Sequence, residues 1–173
     1  MFRRFIVLCA AVFMIALLSF DRARAELPLG FVDEVIQGGL NIPVDCCFDG
    51  TGRLFVAEKR GIIRVIQDGV LLPTPVIDLT AEVHNAGDKG LLGIALDPAF
   101  AQNGRIYLLY NVDPIFGQPD EPNESASFGR ITRYTISGNV AQPASRFILL
   151  GNSAEDGIAN CYSSHSIGTL AFG

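Results

Sequence analysis

The stretch CFDGTGRLFV at residues 47–56 returns in a related form, ALDPAFAQNGRIYL, at residues 95–108. The Gly-Arg pairs of the two copies are 52 residues apart. In both copies a polar turn leads into an apolar strand, and a second hairpin strand follows, at 61–65 in the first copy and at 129–134 in the second. A third copy begins at 168–173. A period of about 50 residues with about four strands in each unit is typical of β-propeller blades. The alternative is a β-sandwich in which two hairpins resemble each other by chance.

Short apolar runs bounded by glycine, proline, asparagine or aspartate recur about every 8 to 15 residues, and none has a sustained helical period. The runs at 53–58 and 105–112 are apolar on both faces, which predicts sheets covered on both sides. The sequence therefore predicts an all-β fold with strands at 31–36, 44–48, 53–58, 62–67, 91–96, 105–112, 130–137 and 146–150.

The first 25 residues have the three parts of an export signal. Arg3 and Arg4 precede an apolar run at 5–20, and Ala23-Arg24-Ala25 forms a small-residue cleavage site. We expect cleavage after Ala25, a mature chain of 26–173 that is periplasmic or extracellular, and no stable membrane insertion afterwards. The mature chain keeps 9 basic and 17 acidic side chains, a balance that argues against a nucleic-acid partner.

Three cysteines remain after signal removal, and they leave two interpretations open. Export permits a disulfide, and Cys161 could pair with Cys46 or Cys47. Alternatively, Cys46 and Cys47 are small apolar strand residues. No Cys/His spacing typical of a metal site occurs.

Short motifs follow one another in a fixed order over nearly the whole mature chain. They are LPLGF at 27–31, GLNIP at 39–43, DGTGRLFVAE at 49–58, GIIRV at 61–65, GLLGIALDPAF at 90–100, RITRY at 130–134 and SHSIGTLAFG at 164–173. In order and spacing this set resembles the glucose/sorbosone dehydrogenase family, whose members are six-bladed β-propellers. The resemblance implies that residues 26–173 form about the first two and a half blades of such a propeller.

The resemblance also implies a cofactor and a reaction. Pyrroloquinoline quinone (PQQ) would lie over the propeller axis with calcium, and a sugar substrate would be oxidised at its C1 hydroxyl to the lactone. Hydride would pass to the quinone and later, as electrons, to an external acceptor. The basic residues that hold the quinone and the carbonyls that hold calcium would lie beyond residue 173.

Four residues are predicted site residues because they match positions of the family motifs. His165 matches the catalytic histidine and is predicted to be the general base, since a neutral imidazole accepts a proton near neutral pH. Ser164 stands where a well-known glucose dehydrogenase of the family has aspartate, and it cannot supply that negative charge. Asp88 and Lys89 match a cofactor-proximal position, and an ordinary charged turn is the alternative. His84 matches no functional position and is expected to be exposed.

Two other functions stay open. A calcium-dependent lactonase would use carboxylates such as Asp88 and Glu58 as metal ligands. A non-catalytic secreted binding module would make His165 dispensable, because propellers also serve as recognition surfaces. Motifs of serine hydrolases, zinc proteases and phosphate-binding loops are absent from the sequence.

The predicted blades also lead to an expectation about the chain on its own. Blades bury their faces against their neighbours, so an open set would expose both terminal faces. We expect residues 26–173, expressed alone, to aggregate or remain partly unfolded in size-exclusion chromatography and thermal melts. A monomer that melts cooperatively would favour a small sandwich instead.

Overall fold

The computed structural model describes residues 27–115, 127–160, 162 and 164–173. The expected export signal and Cys161, and with it any pairing of Cys161, lie outside these residues. The chain divides into two units, Met1–Val35 and Ile36–Gly173.

Within the first unit, the described residues contain a turn in which Phe31 N donates to Pro28 O at 3.0 Å. The predicted strand at 31–36 is wrong, because no strand is found there. An apolar run becomes a strand only where a neighbour pairs its backbone groups, and no described strand pairs with 31–36.

The second unit begins with an antiparallel sheet. Its strands are β1 Pro43–Phe48, β2 Arg53–Glu58, β3 Ile62–Gln67, β4 Val70–Leu71 and β5 Ile77–Asp78. Strands β1, β2 and β3 are hydrogen-bonded in chain order, and β4 and β5 both pair with β3. The Asp49 side chain fixes the first turn, since Asp49 Oδ1 accepts the N–H groups of Thr51 at 2.8 Å and Arg53 at 3.1 Å.

A second antiparallel sheet repeats this plan. Its strands are β6 Leu91–Leu96, β7 Arg105–Val112, β8 Phe128–Ser137, β9 Val140–Ala141, β10 Phe147–Leu150 and β11 Ile158–Ala159. Strands β6, β7, β8 and β10 are ordered from one edge to the other, and β9 and β11 also pair with β8. A one-turn helix, Phe100–Asn103, and a 3-10 turn, Pro143–Ser145, are the described helical segments.

The one-turn helix between β6 and β7 ends at a glycine for a steric reason. Gly104 has φ of 61°, and a Cβ on it would lie 2.6 Å from Ile136 O. A side chain at 104 would therefore meet both an unfavourable backbone conformation and a carbonyl of β8. The glycine at 104 is thus required by the packing of the second sheet.

The core lies between the two sheets. Phe55 and Val65 of the first sheet and Ile106 and Leu108 of the second are each 0% exposed, and Phe55 packs edge-to-face on Phe100 with centroids 5.7 Å apart. The edge strands β1 and β6 are adjacent, and Ile94 N donates to Asp45 Oδ2 at 3.0 Å. Two sheets that share a core in this way have the arrangement of consecutive propeller blades.

The third copy of the repeat lies against the second sheet without forming a strand among the described residues. Phe172 packs edge-to-face on Tyr107 of β7 with centroids 5.1 Å apart. Thr169 Oγ1 also reaches the first sheet, where it donates to Asp45 Oδ2 of β1 at 3.1 Å. Across 27–115, 127–160, 162 and 164–173, no helix is long and apolar enough to cross a membrane.

Candidate active site

The candidate site lies at one end of the two sheets. Strands alternate in direction, so the connections at 59–61, 79–90 and 160–167 are all at this end. Leu91 N donates to Lys59 O at 2.8 Å, which joins this end of the first sheet to the same end of the second. These connections hold every residue that the sequence predicted for the site.

His165 is an exposed side chain on a constrained backbone. Its φ is 57°, in the left-handed region, and its N–H donates to Asp88 Oδ2 at 3.0 Å. Its Nδ1 lies 3.2 Å from Ser164 Oγ. The structure therefore brings His165, Asp88 and Ser164 together, although Asp88 is 77 residues away in sequence.

Lys89 lies in the same turn as Asp88 but differs from it in exposure. Asp88 is exposed, whereas Lys89 is 0% exposed and interacts with neighbouring groups. Its backbone N–H closes the turn by donating to Ala86 O at 3.0 Å. Within this chain, Asp88 faces the His165 backbone, and the Lys89 charge is withdrawn from the surface.

Gly90 allows this turn to contact the connection after β2. A Cβ on Gly90 would lie 2.6 Å from Lys59 O and 2.7 Å from Lys59 Cγ. Real Cβ atoms do not approach a carbonyl oxygen so closely, so any side chain at 90 would push the two connections apart. Gly90, the first residue of the GLLGIAL motif, therefore determines how closely the Asp88 turn approaches the connection at Lys59.

Asn111, near the end of β7, was missed by the sequence analysis. It is 0% exposed, and its Oδ1 accepts from Gly90 N at 3.1 Å and from Ser166 Oγ at 2.9 Å. The available signal was an asparagine inside the otherwise apolar run at 105–112. The expectation that His84 is exposed is wrong, because His84 is 0% exposed. A β-bridge pairs the neighbouring Val83 with Val112 at the end of β7, and the backbone N–H of His84 donates to Asn111 O at 2.9 Å.

Glu82 forms a second group of bonded side chains in the 79–90 connection. Its Oε1 accepts from Tyr110 Oη at 2.6 Å and from the guanidinium groups of Arg130 and Arg146. Burial opposes ionisation of this carboxyl, but the Tyr110 hydrogen bond, the Arg146 charge and the hydrogen bonds from both arginines together lower the pKa of Glu82. The connection is thereby fixed to β7, β8 and the segment before β10.

Glu58 is buried, and its carboxylate already has partners. Oε1 accepts Asn41 N at 2.9 Å, Oε2 accepts from Arg60 at 3.2 Å, and Arg64 lies 3.9 Å away. In the part of the chain that the structure describes, no three His, Cys, Asp or Glu side chains form a group able to hold a metal ion. Glu58 therefore does not fit the role of a calcium ligand.

The profile of the Glucose / Sorbosone dehydrogenase family matches residues 40–157. The chain belongs to the glucose/sorbosone dehydrogenase family. This confirms the resemblance that the sequence motifs indicated. The matched range includes Asp88 and Lys89 and ends before Ser164 and His165.

Two curated relatives are similar to part of the chain. The HIPL1 protein of Arabidopsis thaliana is 33% identical over 108 residues, which cover 57% of this chain and 16% of the relative. The Hedgehog-interacting protein of Mus musculus is 29% identical over 85 residues, which cover 45% of this chain and 12% of the relative. The chain thus spans less than a fifth of either relative.

Solved structures confirm the fold. A putative oxidoreductase (glucose dehydrogenase) from Thermus thermophilus matches with a TM-score of 0.60 and 27% identity, over 81% of this chain and 36% of that one. The soluble aldose sugar dehydrogenase of Escherichia coli matches with a TM-score of 0.53 and 21% identity, over 69% and 33% of the two chains. The chain is all-β and forms the N-terminal blades of a β-propeller, spanning about a third of these structures.

The resemblance to the family implies PQQ and calcium, and the described residues suit a wall of the PQQ site better than a calcium site. An exposed imidazole at His165 fits a base beside a bound quinone and sugar. Lys59 lies in the adjacent connection, and its Nζ donates to Asn85 Oδ1 at 2.9 Å. The described residues thus fit one wall of a PQQ site. The calcium ligands that the resemblance implies are backbone carbonyls beyond residue 173, so calcium would be held outside this wall.

Proposed function

We propose that this chain supplies the base-bearing wall of a secreted PQQ-dependent aldose dehydrogenase, with His165 as the general base. One observation carries the proposal: an exposed imidazole on a backbone that Asp88 holds, in a member of the glucose/sorbosone dehydrogenase family. The substrate is a sugar, and the electrons leave to an external acceptor. A location in the periplasm or outside the cell follows from the export signal predicted at 1–25.

The proposed role of His165 is to take the proton of the sugar C1 hydroxyl. Its Nδ1 lies beside Ser164 Oγ, which leaves Nε2 as the nitrogen that faces no described partner. When bound, PQQ supplies the quinone that accepts hydride from C1. His165 Nε2 would accept the proton of the C1 hydroxyl, so that the C1–O bond could become the lactone carbonyl without a cationic intermediate.

Ser164 can support the tautomer that this base needs. Its hydroxyl can accept a hydrogen bond from Nδ1–H, which keeps the lone pair on Nε2. A hydroxyl dipole stabilises the protonated imidazole less than a carboxylate would. The proposed enzyme is therefore a slower base catalyst than relatives with aspartate at this position.

A secreted binding propeller is the second candidate. It is favoured by the similarity to the Hedgehog-interacting protein and by the absence of a carboxylate at Ser164. The lactonase interpretation has less support, because Asn41, Arg60 and Arg64 occupy the Glu58 carboxylate.

The proposal is tested by dye-linked sugar oxidation with the full-length protein, reconstituted with PQQ and calcium, over a panel of aldoses. We expect turnover that requires PQQ and titrates with it, and none when NAD replaces it. PQQ binding is measured in parallel by fluorescence. If PQQ neither binds nor supports turnover with any aldose, the dehydrogenase proposal is wrong and the binding propeller takes its place.

A further inference from the structure

Asn111 connects the two turns that carry the proposed site residues. Its backbone N–H donates to Gly90 O at 3.0 Å, and its side-chain Oδ1 accepts from Gly90 N at 3.1 Å. These two bonds fasten the turn that contains Asp88 to the end of β7. A residue that bonds both polar groups of a glycine backbone fixes the position and the tilt of that turn.

The same oxygen also holds the His165 turn. Ser166 Oγ donates to Asn111 Oδ1 at 2.9 Å and accepts from Asn160 Nδ2 at 2.9 Å. His165 is thus held on two sides: its own N–H bonds to Asp88, and the next residue, Ser166, bonds to Asn111. Asn111 is 21 residues from Gly90 and 55 residues from Ser166 in sequence.

His165 needs such support because of its backbone conformation. A residue with a Cβ in the left-handed region costs about 1 kcal/mol or more, and an unsupported loop would relax out of it. The φ of 57° is retained where neighbouring groups hold it on both sides. Asp88 holds the N–H of His165, and Asn111 holds the next side chain, Ser166.

The other half of the Asn111 amide is evidence against a purely stabilising role. Asn111 is 0% exposed, and its Nδ2 is buried without a hydrogen-bond partner among the described residues. An unsatisfied buried donor costs about 1–3 kcal/mol. An apolar side chain at 111 would avoid this cost but would leave Gly90 N and Ser166 Oγ without their acceptor, so the two turns that the oxygen holds explain a polar side chain in this strand.

We propose that Asn111 is a positioning residue that sets the His165 imidazole through Gly90 and Ser166; its catalytic part rests on the proposed function. The Asn111→Leu variant keeps the volume but removes the oxygen. We expect it to lower kcat about tenfold or more while KM changes less than about threefold, because small displacements of a base strongly affect proton transfer. The Asn111→Asp variant keeps an acceptor oxygen and is expected to retain most of kcat.

The second readout is independent of turnover. Hydrogen exchange of the His165 amide, which donates to Asp88, is expected to accelerate about tenfold in Asn111→Leu and not in Asn111→Asp. The matched control is Asn139→Leu at the opposite end of the sheets, where Asn139 Nδ2 donates to Gln67 Oε1 at 3.0 Å. We expect this control to lower the melting temperature without changing kcat or the His165 exchange rate.

The outcomes separate this proposal from the proposed function. Unchanged exchange at His165 in Asn111→Leu overturns the positioning role, as does an unchanged kcat in an active enzyme. Equal loss of kcat in Asn139→Leu also overturns it, because the effect would then be general destabilisation. If the wild-type protein lacks PQQ-dependent turnover but exchange at His165 still accelerates in Asn111→Leu, the proposed function is refuted. The positioning of the His165 turn by Asn111 is then still supported.

Discussion

Replacement of His165 by alanine lowers kcat for aldose oxidation by about 10²–10⁴-fold, the range that general base catalysis contributes. The side chain is exposed and contributes one side-chain contact within the described chain, to Ser164, so the fold should survive its removal. We therefore expect PQQ affinity and the melting temperature to change little. Steady-state kinetics with the reconstituted full-length protein measure the effect, and added imidazole should restore part of the rate.

The control for this variant lies in the same connection. Tyr162 is 77% exposed, so Tyr162→Phe should leave kcat unchanged. If His165→Ala keeps kcat within about twofold of the wild type while turnover still requires PQQ, the base lies elsewhere in the protein. In that case the contact with Asp88 would be structural.

Much of the fold could be predicted because it depends on local patterns. The strands predicted at 53–58, 62–67, 91–96 and 105–112 have the observed boundaries, since each is bounded by glycine or proline turns and is apolar on its buried faces. Two-residue strands such as β4 and β9 escaped prediction because only pairing to a neighbouring strand defines them. The run at 31–36 failed for the converse reason, since its apolar side chains find no paired strand among the described residues.

The site depends instead on contacts between distant residues. His165, Ser164 and Asp88 were predicted from family motifs, and no local pattern indicated that they make contact across 77 residues. Asn111 and Glu82 were missed because their partners lie up to 55 and 64 residues away. A polar residue inside an apolar strand is the one local sign of such a role, and Asn111 shows it.

Replacement of Glu82 by glutamine is expected to lower the free energy of unfolding by about 3 kcal/mol, because the largely buried Arg130 guanidinium would lose the charge that compensates it. Arg130, whose side chain is 9% exposed, would lose its carboxylate partner, Glu82 Oε1. Arg146 pairs with the same oxygen and would lose it as well. Urea unfolding of the full-length protein measures the loss, and Glu34→Gln, at an exposed position, is the matched control.

The effect of Glu82→Gln should also depend on pH in one direction. The folded-state pKa of Glu82 lies below its ordinary value of 4.5, so the carboxylate contributes its full stability above that value and loses it as the pH falls through the folded pKa. The difference between wild type and variant is therefore largest near neutral pH and narrows in acid. Burial and the Glu82 charge raise the pKa of Tyr110, so its phenol remains a donor over this whole range.

This acid sensitivity should reach the site, because Glu82 and Asp88 belong to the same connection, 79–90. Glu82 fixes the start of that connection to the second sheet, and Asn111 fixes its end through Gly90. Loss of the Glu82 charge should therefore accelerate hydrogen exchange at 82–90 before the strands of the core open. If exchange in the core strands accelerates equally, Glu82 stabilises the two sheets as a whole, and its bonds to Tyr110, Arg130 and Arg146 are not a local fastening of the Asp88 turn.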